Sequence, residues 1–156
     1  MQVAFFRSGT LFTFALLFSI ALTACKKDEP DKAHTLRSAR RAWTARENSS
    51  YTIDQQWGCG YCAPIFYKKV RITGQNNQVT NVVSLEDNQP VPSTQWQLFS
   101  TVEELFQTVE EFETRNPFQS SIAYDPQYGY PTVVSADYSE EVVDEEFAIT
   151  TSGLTF

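Results

Sequence analysis

Hydrophobic and polar positions change period several times along this chain, and each change predicts an element. A largely apolar run, interrupted only by Thr13 and Ser19, covers residues 11–22. The charged stretch Lys26-Lys27-Asp28-Glu29-Pro30-Asp31-Lys32 follows and offers nothing to bury, so residues 25–34 are expected as a tether. Leu36, Ala39 and Trp43 then fall on one helical stripe, with Arg37, Arg40, Arg41 and Arg46 largely around it, which predicts a helix over residues 36 to about 48. Alternation replaces it: Tyr51, Ile53 and Trp57 share one strand face, Phe66, Val70 and Ile72 a second, and Val79, Val83 and Leu85 a third. Gly74-Gln75-Asn76-Asn77 is turn chemistry and joins the second and third strands as a hairpin. Pro90 and Pro92 mark a loop over residues 87–95.

Helical spacing returns with Val102, Leu105, Phe106, Val109 and Phe112. Thr101 and Glu104 form a capping box in front of them, and Asn116-Pro117 stops the helix behind. Glu103, Glu110, Glu111 and Glu113 are expected to face mostly outward, as a solvated surface. Three more strands follow over residues 118–124, 130–137 and 145–151, with Asp125-Pro126-Gln127-Tyr128-Gly129 as the turn between the first two. The predicted class is α+β: an antiparallel sheet with two helices on one face, in the order helix, three strands, helix, three strands. Antiparallel sheets can keep their other face wet. The repeated order raises the suspicion of an internal duplication, although no residue-level repetition accompanies it.

Leu22-Thr23-Ala24-Cys25 closes the apolar run and resembles the lipobox of bacterial lipoproteins. Arg7 is the only early charge, and small residues stand where a signal peptidase needs them, so residues 1–24 are expected to be a signal peptide. The run is also short for a membrane span, which needs about 20 apolar residues. The resemblance implies that Cys25 is acylated and becomes the first residue of the mature chain, with the lipid bilayer as its partner. Residue 26 is a lysine and not an aspartate, so the familiar inner-membrane retention signal is absent, and outer-membrane or cell-surface residence is expected. Residues 35–156 then form one domain of ordinary size.

Charge changes the picture further. The formal charge is -7, and residues 47–156 hold sixteen acids against four bases. Such a body repels nucleic acid. With Cys25 committed to lipid, Cys59 and Cys62 remain as an even pair in an exported chain, for which a disulfide is the expectation. A redox dithiol would need a helix amino terminus to lower the attacking thiol's pKa, and a strand over residues 65–73 is expected there instead. A zinc site would need about four ligands, and no second cysteine pair exists.

The single histidine, His34, lies between tether and helix, which nearly excludes histidine-dependent catalysis. Asp137, Glu140, Glu141, Asp144, Glu145 and Glu146 gather around one loop and could ligate calcium, but their spacing matches no EF-hand, and a solvated acidic loop is expected. Tyr124, Asp125, Tyr128, Tyr130, Asp137 and Tyr138 form a candidate binding surface, with core packing of the tyrosines as the alternative. No catalytic residue and no cofactor is expected. The functional expectation is a non-enzymatic binding or structural lipoprotein that meets an envelope protein or glycan. The alternatives are an exported redox or hydrolytic enzyme using the Cys59 and Cys62 region or the acidic loop, and a secreted enzyme-inhibitor-like module.

Trp43, Tyr51-Thr52-Ile53, the close cysteine pair, Val70-Arg71-Ile72, Thr101-Val102-Glu103-Glu104-Leu105-Phe106, the block from Tyr124 through Tyr128-Gly129-Tyr130-Pro131-Thr132, and Asp137-Tyr138 are similar to the bacterial lipoprotein family catalogued as domain of unknown function 6174. The resemblance covers roughly residues 43–149. Members of that family carry one residue between the cysteines, where this chain has Gly60 and Tyr61. The resemblance implies export and a single small domain, and it transfers no catalytic residue.

Overall fold

The computed structural model describes residues 32–46, 50–59, 62–142 and 145–156. The apolar run, Cys25, Gly60, Tyr61 and Asp144 therefore lie outside the described residues. The elements run α1 (Lys32–Thr44), β1 (Ser50–Cys59), a 3-10 helix (Pro64–Tyr67), β2 (Val70–Gln75), β3 (Gln78–Ser84), a second 3-10 helix (Ser93–Leu98), α2 (Val102–Arg115), β4 (Gln119–Tyr124), β5 (Pro131–Asp137) and β6 (Phe147–Thr155). The six strands make one antiparallel sheet in the order β3-β2-β1-β6-β5-β4, so the class is α+β. The two 3-10 helices are additions to the series read from the sequence.

Strand order argues against a simple duplication. A two-fold axis normal to the sheet would set β4 beside β1, whereas β6 stands there, with Thr52 opposite Thr155 and Cys59 opposite Phe147. The first meander thus starts at the centre and runs outward, and the second starts at the far edge and runs inward.

Local chemistry explains most of these elements. Thr101 accepts the amide of Glu104 while the Glu104 carboxylate accepts the amide of Thr101, which completes the capping box of α2. Asn116 ends the helix in the left-handed region at φ 47°. Asn76 and Asn77 both take positive φ, as a two-residue hairpin turn requires, so the turn is tighter than the four-residue stretch expected and Gly74 belongs to β2. Gly74 is obligatory for another reason: a Cβ there would stand 2.4 Å from the Tyr51 ring that lies across it.

Two strand expectations need correction. Phe66 belongs to the 3-10 helix and not to β2, because Pro64 starts a tight turn that the apolar run Ile65-Phe66-Tyr67 follows. On β3 the buried positions are Val82 and Ser84, while Val83 is half-buried. A register shift opposite Thr73 and Gly74 leaves Thr80 unpaired, and that extra residue reverses the facing of everything after it.

One core cluster joins Leu36, Ala39 and Trp43 of α1, Val102, Phe106, Val109 and Phe112 of α2, and Tyr51, Ile53, Val70, Ile72, Val82, Val134 and Ala136 of the sheet. No helix among the described residues is long and apolar enough to cross a membrane.

Candidate cleft on the sheet

Strand alternation sends Tyr51, Ile53, Gln55 and Trp57 of β1 toward the core and Thr52, Asp54, Gln56 and Gly58 to the other side. One row across that side is unusually small: Gly58 stands opposite Ala148, Ala148 opposite Ser135, and Ser135 opposite Ser121. Small side chains leave room above them, and a cleft of about 530 Å³ lies there. Gln119, Asp137 and Glu146 contribute to its wall, and Cys59 lines it as well.

Cys59 and Cys62 stand at disulfide distance, with Cα atoms 5.9 Å apart. Cys59 is the last residue of β1, and the Cys62 amide donates to the Tyr67 hydroxyl at 3.4 Å. The bond therefore ties the end of a central strand to the 3-10 helix that follows. The segment after Cys62 is that single 3-10 turn, in place of the expected strand, and its N-cap Ala63 has no side-chain capping bond.

The six residues expected to make one binding surface occupy two places. Tyr124, Asp125, Tyr128 and Tyr130 lie at the turn between β4 and β5. Asp137 and Tyr138 lie at the other end of β5, about 20 Å away along seven residues of strand. At the turn, Asp125 Oδ1 accepts the amides of Gln127 and Tyr128 at 2.9 and 2.7 Å, and the Asp125 and Tyr130 backbones close the loop. Tyr130 is buried in the core, and burial pushes its hydroxyl pKa up. Tyr124 stacks on Phe106, while Tyr128 meets Phe156 edge-on and carries the Arg46 guanidinium 4.5 Å above its ring. Gly129, at φ 78°, seats this turn against α1: a Cβ would come within 2.2 Å of the Ala39 carbonyl oxygen. The block from Tyr124 to Tyr130 is thus a dock between helix and sheet. Tyr138 packs edge-on against Phe112 under Arg115.

Among the acidic-loop residues, Asp137 Oδ1 accepts the Ser139 amide at 3.1 Å, and Ser139 Oγ accepts the amides of Glu141 and Val142. Asp137 and Glu146 turn into the cleft wall. No group of three or more His, Cys, Asp or Glu that could hold a metal ion occurs among the described residues.

Three polar arrangements escaped the sequence reading. Gln55, fully buried, exchanges two hydrogen bonds with the Ser100 backbone at 3.1 Å each and so fixes the entry to α2. Asp54, 8% exposed, takes a forked pair of bonds from Arg71 at 2.7 and 3.2 Å, with Lys69 at 3.8 Å. Glu103 is no solvated acid: it accepts from the Trp43 indole and the Tyr51 hydroxyl. Register is the signal that would have found the second, since Asp54 and Arg71 are direct cross-strand partners.

These features define a small α+β domain with a shallow cleft across one end of β1, β6, β5 and β4 in an antiparallel sheet. The chain belongs to the family of unknown function DUF6174, whose model matches residues 35–156. No curated protein and no solved structure matches it.

Proposed function

We propose that the protein is a lipid-anchored, non-enzymatic binding module of the cell envelope. Acylated Cys25 holds it at the outer membrane or cell surface, and the open side of its sheet recognises an envelope protein or glycan. In this reading both helices cover one face: Trp43 of α1 meets Tyr51, while Phe106 and Phe112 of α2 meet Tyr124 and Phe147. The observation that carries the reading is the cleft floored by Gly58, Ala148, Ser135 and Ser121, where small side chains give access without enclosing a reaction volume. Its ionisable lining consists of Asp137 and Glu146 beside the paired Cys59. Anchoring by lipid supports the same picture, since each buried methylene contributes about 0.8 kcal/mol and two chains hold a protein stably. The domain then needs no apolar surface for the membrane.

The test is the mass of the amino-terminal peptide from the native protein, together with the membrane fractionation of Cys25→Ser. A diacylated Cys25 and release of the variant are expected. An unmodified thiol, or a variant that stays with the membrane, sinks the anchoring.

A further inference from the structure

We propose that β4 is a docking edge for an extended segment of a partner protein, one that carries a lysine or arginine directed at Asp137. The proposal rests on the binding-module reading and names the partner's chemistry.

The sheet's two edges are treated differently. The outer side of β3 is met by the chain that follows it: Pro90 bridges to Val83, the Ser84 amide donates to Gln89, and the Val91 amide donates to Val82. From Gln119 to Ala123, β4 is paired with β5, and among the described residues no other strand or isolated bridge meets its other side. Edges left open are ordinarily guarded by charge, proline or a bulge. Gln119-Ser120-Ser121-Ile122-Ala123 has neither charge nor proline and pairs with β5 in regular register, and a register shift ends that stretch at Tyr124. An unguarded edge of that length offers alternate N–H and C=O groups to an added strand. Phe118, 59% exposed, stands just before it and gives an incoming chain an apolar contact.

The cleft says what the partner carries. On the open side, a strand added beside β4 would project side chains next to Gln119 and Ser121. Asp137 lies opposite Gln119 one strand further in, about 10 Å from the added strand. A lysine or arginine stem laid over the small Ser121 and Ser135 side chains reaches that carboxylate. Sixteen acids against four bases over residues 47–156 attract such a segment and repel a second copy of this chain.

The probe is a labelled peptide of alternating threonine and valine with one central lysine, and its sibling with a central glutamate. Both are titrated into the full chain in detergent, with fluorescence anisotropy for affinity and hydrogen exchange for location. The lysine peptide is expected to bind about tenfold tighter and to protect the amides of β4. Ser121→Lys sets a like charge beside the incoming lysine, so it weakens the lysine peptide and removes its lead over the glutamate peptide. Asp137→Asn keeps the Oδ1 acceptor for Ser139 and erases the difference between the peptides while β4 protection persists. Saturating peptide without β4 protection overturns the proposal, as does a lysine preference that survives Asp137→Asn. Concentration-dependent protection of β4 without peptide hands the edge to a second copy and overturns the partner named here. Membrane retention through Cys25 is measured on the same variants. Failure at the edge with retention intact leaves the anchoring reading standing, and loss of retention leaves the peptide test in detergent readable.

Discussion

The carboxylate of Glu103 on α2 accepts the indole N–H of Trp43 on α1 at 2.9 Å. Its other oxygen accepts the Tyr51 hydroxyl at 3.4 Å, Tyr51 in turn accepts the Val102 amide at 2.8 Å, and the Trp43 and Tyr51 rings meet edge-on at 5.3 Å. One acid thereby links two helices and the central strand. Glu103→Ala removes an acceptor used twice in a part-buried setting and is expected to cost about 1–3 kcal/mol. Urea unfolding should show a lower midpoint at an unchanged slope. Glu103→Gln keeps one oxygen and should lose less; equal losses for the two variants would assign the effect to packing.

Tyr51 makes stability fall at alkaline pH. Burial holds its hydroxyl pKa far above the ordinary value of about 10. The Val102 amide pulls the other way, and Glu103 adds to the rise. Below about pH 10 both folded and unfolded chains keep this proton, so nothing is lost. Above it the unfolded chain releases a proton that the folded chain retains, and stability declines until the folded group titrates. Tyr130, also raised by burial, contributes with the same sign. Unfolding free energy measured across that range should decline less steeply for Tyr51→Phe, even though the variant starts lower for want of the Val102 bond. An unchanged slope would remove Tyr51 as the cause.

Gly129 offers a sharper test of how α1 is held. At φ 78°, with the Ala39 carbonyl oxygen 2.2 Å from where a Cβ would sit, Gly129→Ala meets both backbone strain and a clash with backbone. A loss of at least about 2 kcal/mol is expected, read as a lower thermal midpoint. Hydrogen exchange in α1 should rise more than in β2, because the turn and the helix part first. Uniform loss of protection would show instead that this dock is not a separate unit.

What the sequence disclosed depended on how local the cause was. α2 was legible to its ends, since the capping box, the apolar stripe and Asn116 act within a few residues of one another. The cysteine pair stands at disulfide distance, as the even count and close spacing led one to expect. Pro64–Tyr67 misled because apolar and aromatic residues in a row favour a strand until a proline sets the turn. The facing of β3 misled because a bulge at Thr80 is set by pairing with β2, which no periodicity records. Long-range partners were out of reach for the same reason. Nothing near Glu103 in the chain announces Trp43, sixty residues away. The hairpin over residues 118–137 did put Asp137 at the far end of its strand from Tyr124, and grouping the two as one surface overlooked that separation. The cleft was invisible because its floor takes one small residue from each of four strands.

Cys59 and Cys62 close a ring with a sequence separation of only 3, so their bond restricts the unfolded chain little. The chain-entropy relation gives about 2 kcal/mol for a loop this short, well below the contribution of a long crosslink. Cys59 is also held without it, since it pairs in register with Phe147, whose ring packs against Trp57 and Phe112. Reduction is therefore expected to lower stability by about 2 kcal/mol or less and to leave the sheet intact. Urea unfolding with and without reductant measures the first, and hydrogen exchange of β1 and β6 the second. Because Cys59 lines the cleft, peptide affinity at β4 should also persist in reductant if the bond only pins the connection after β1. Global unfolding on reduction would mean that the central pair β1 and β6 depends on this bond, and that packing around Phe147 is too weak to hold the strand end by itself.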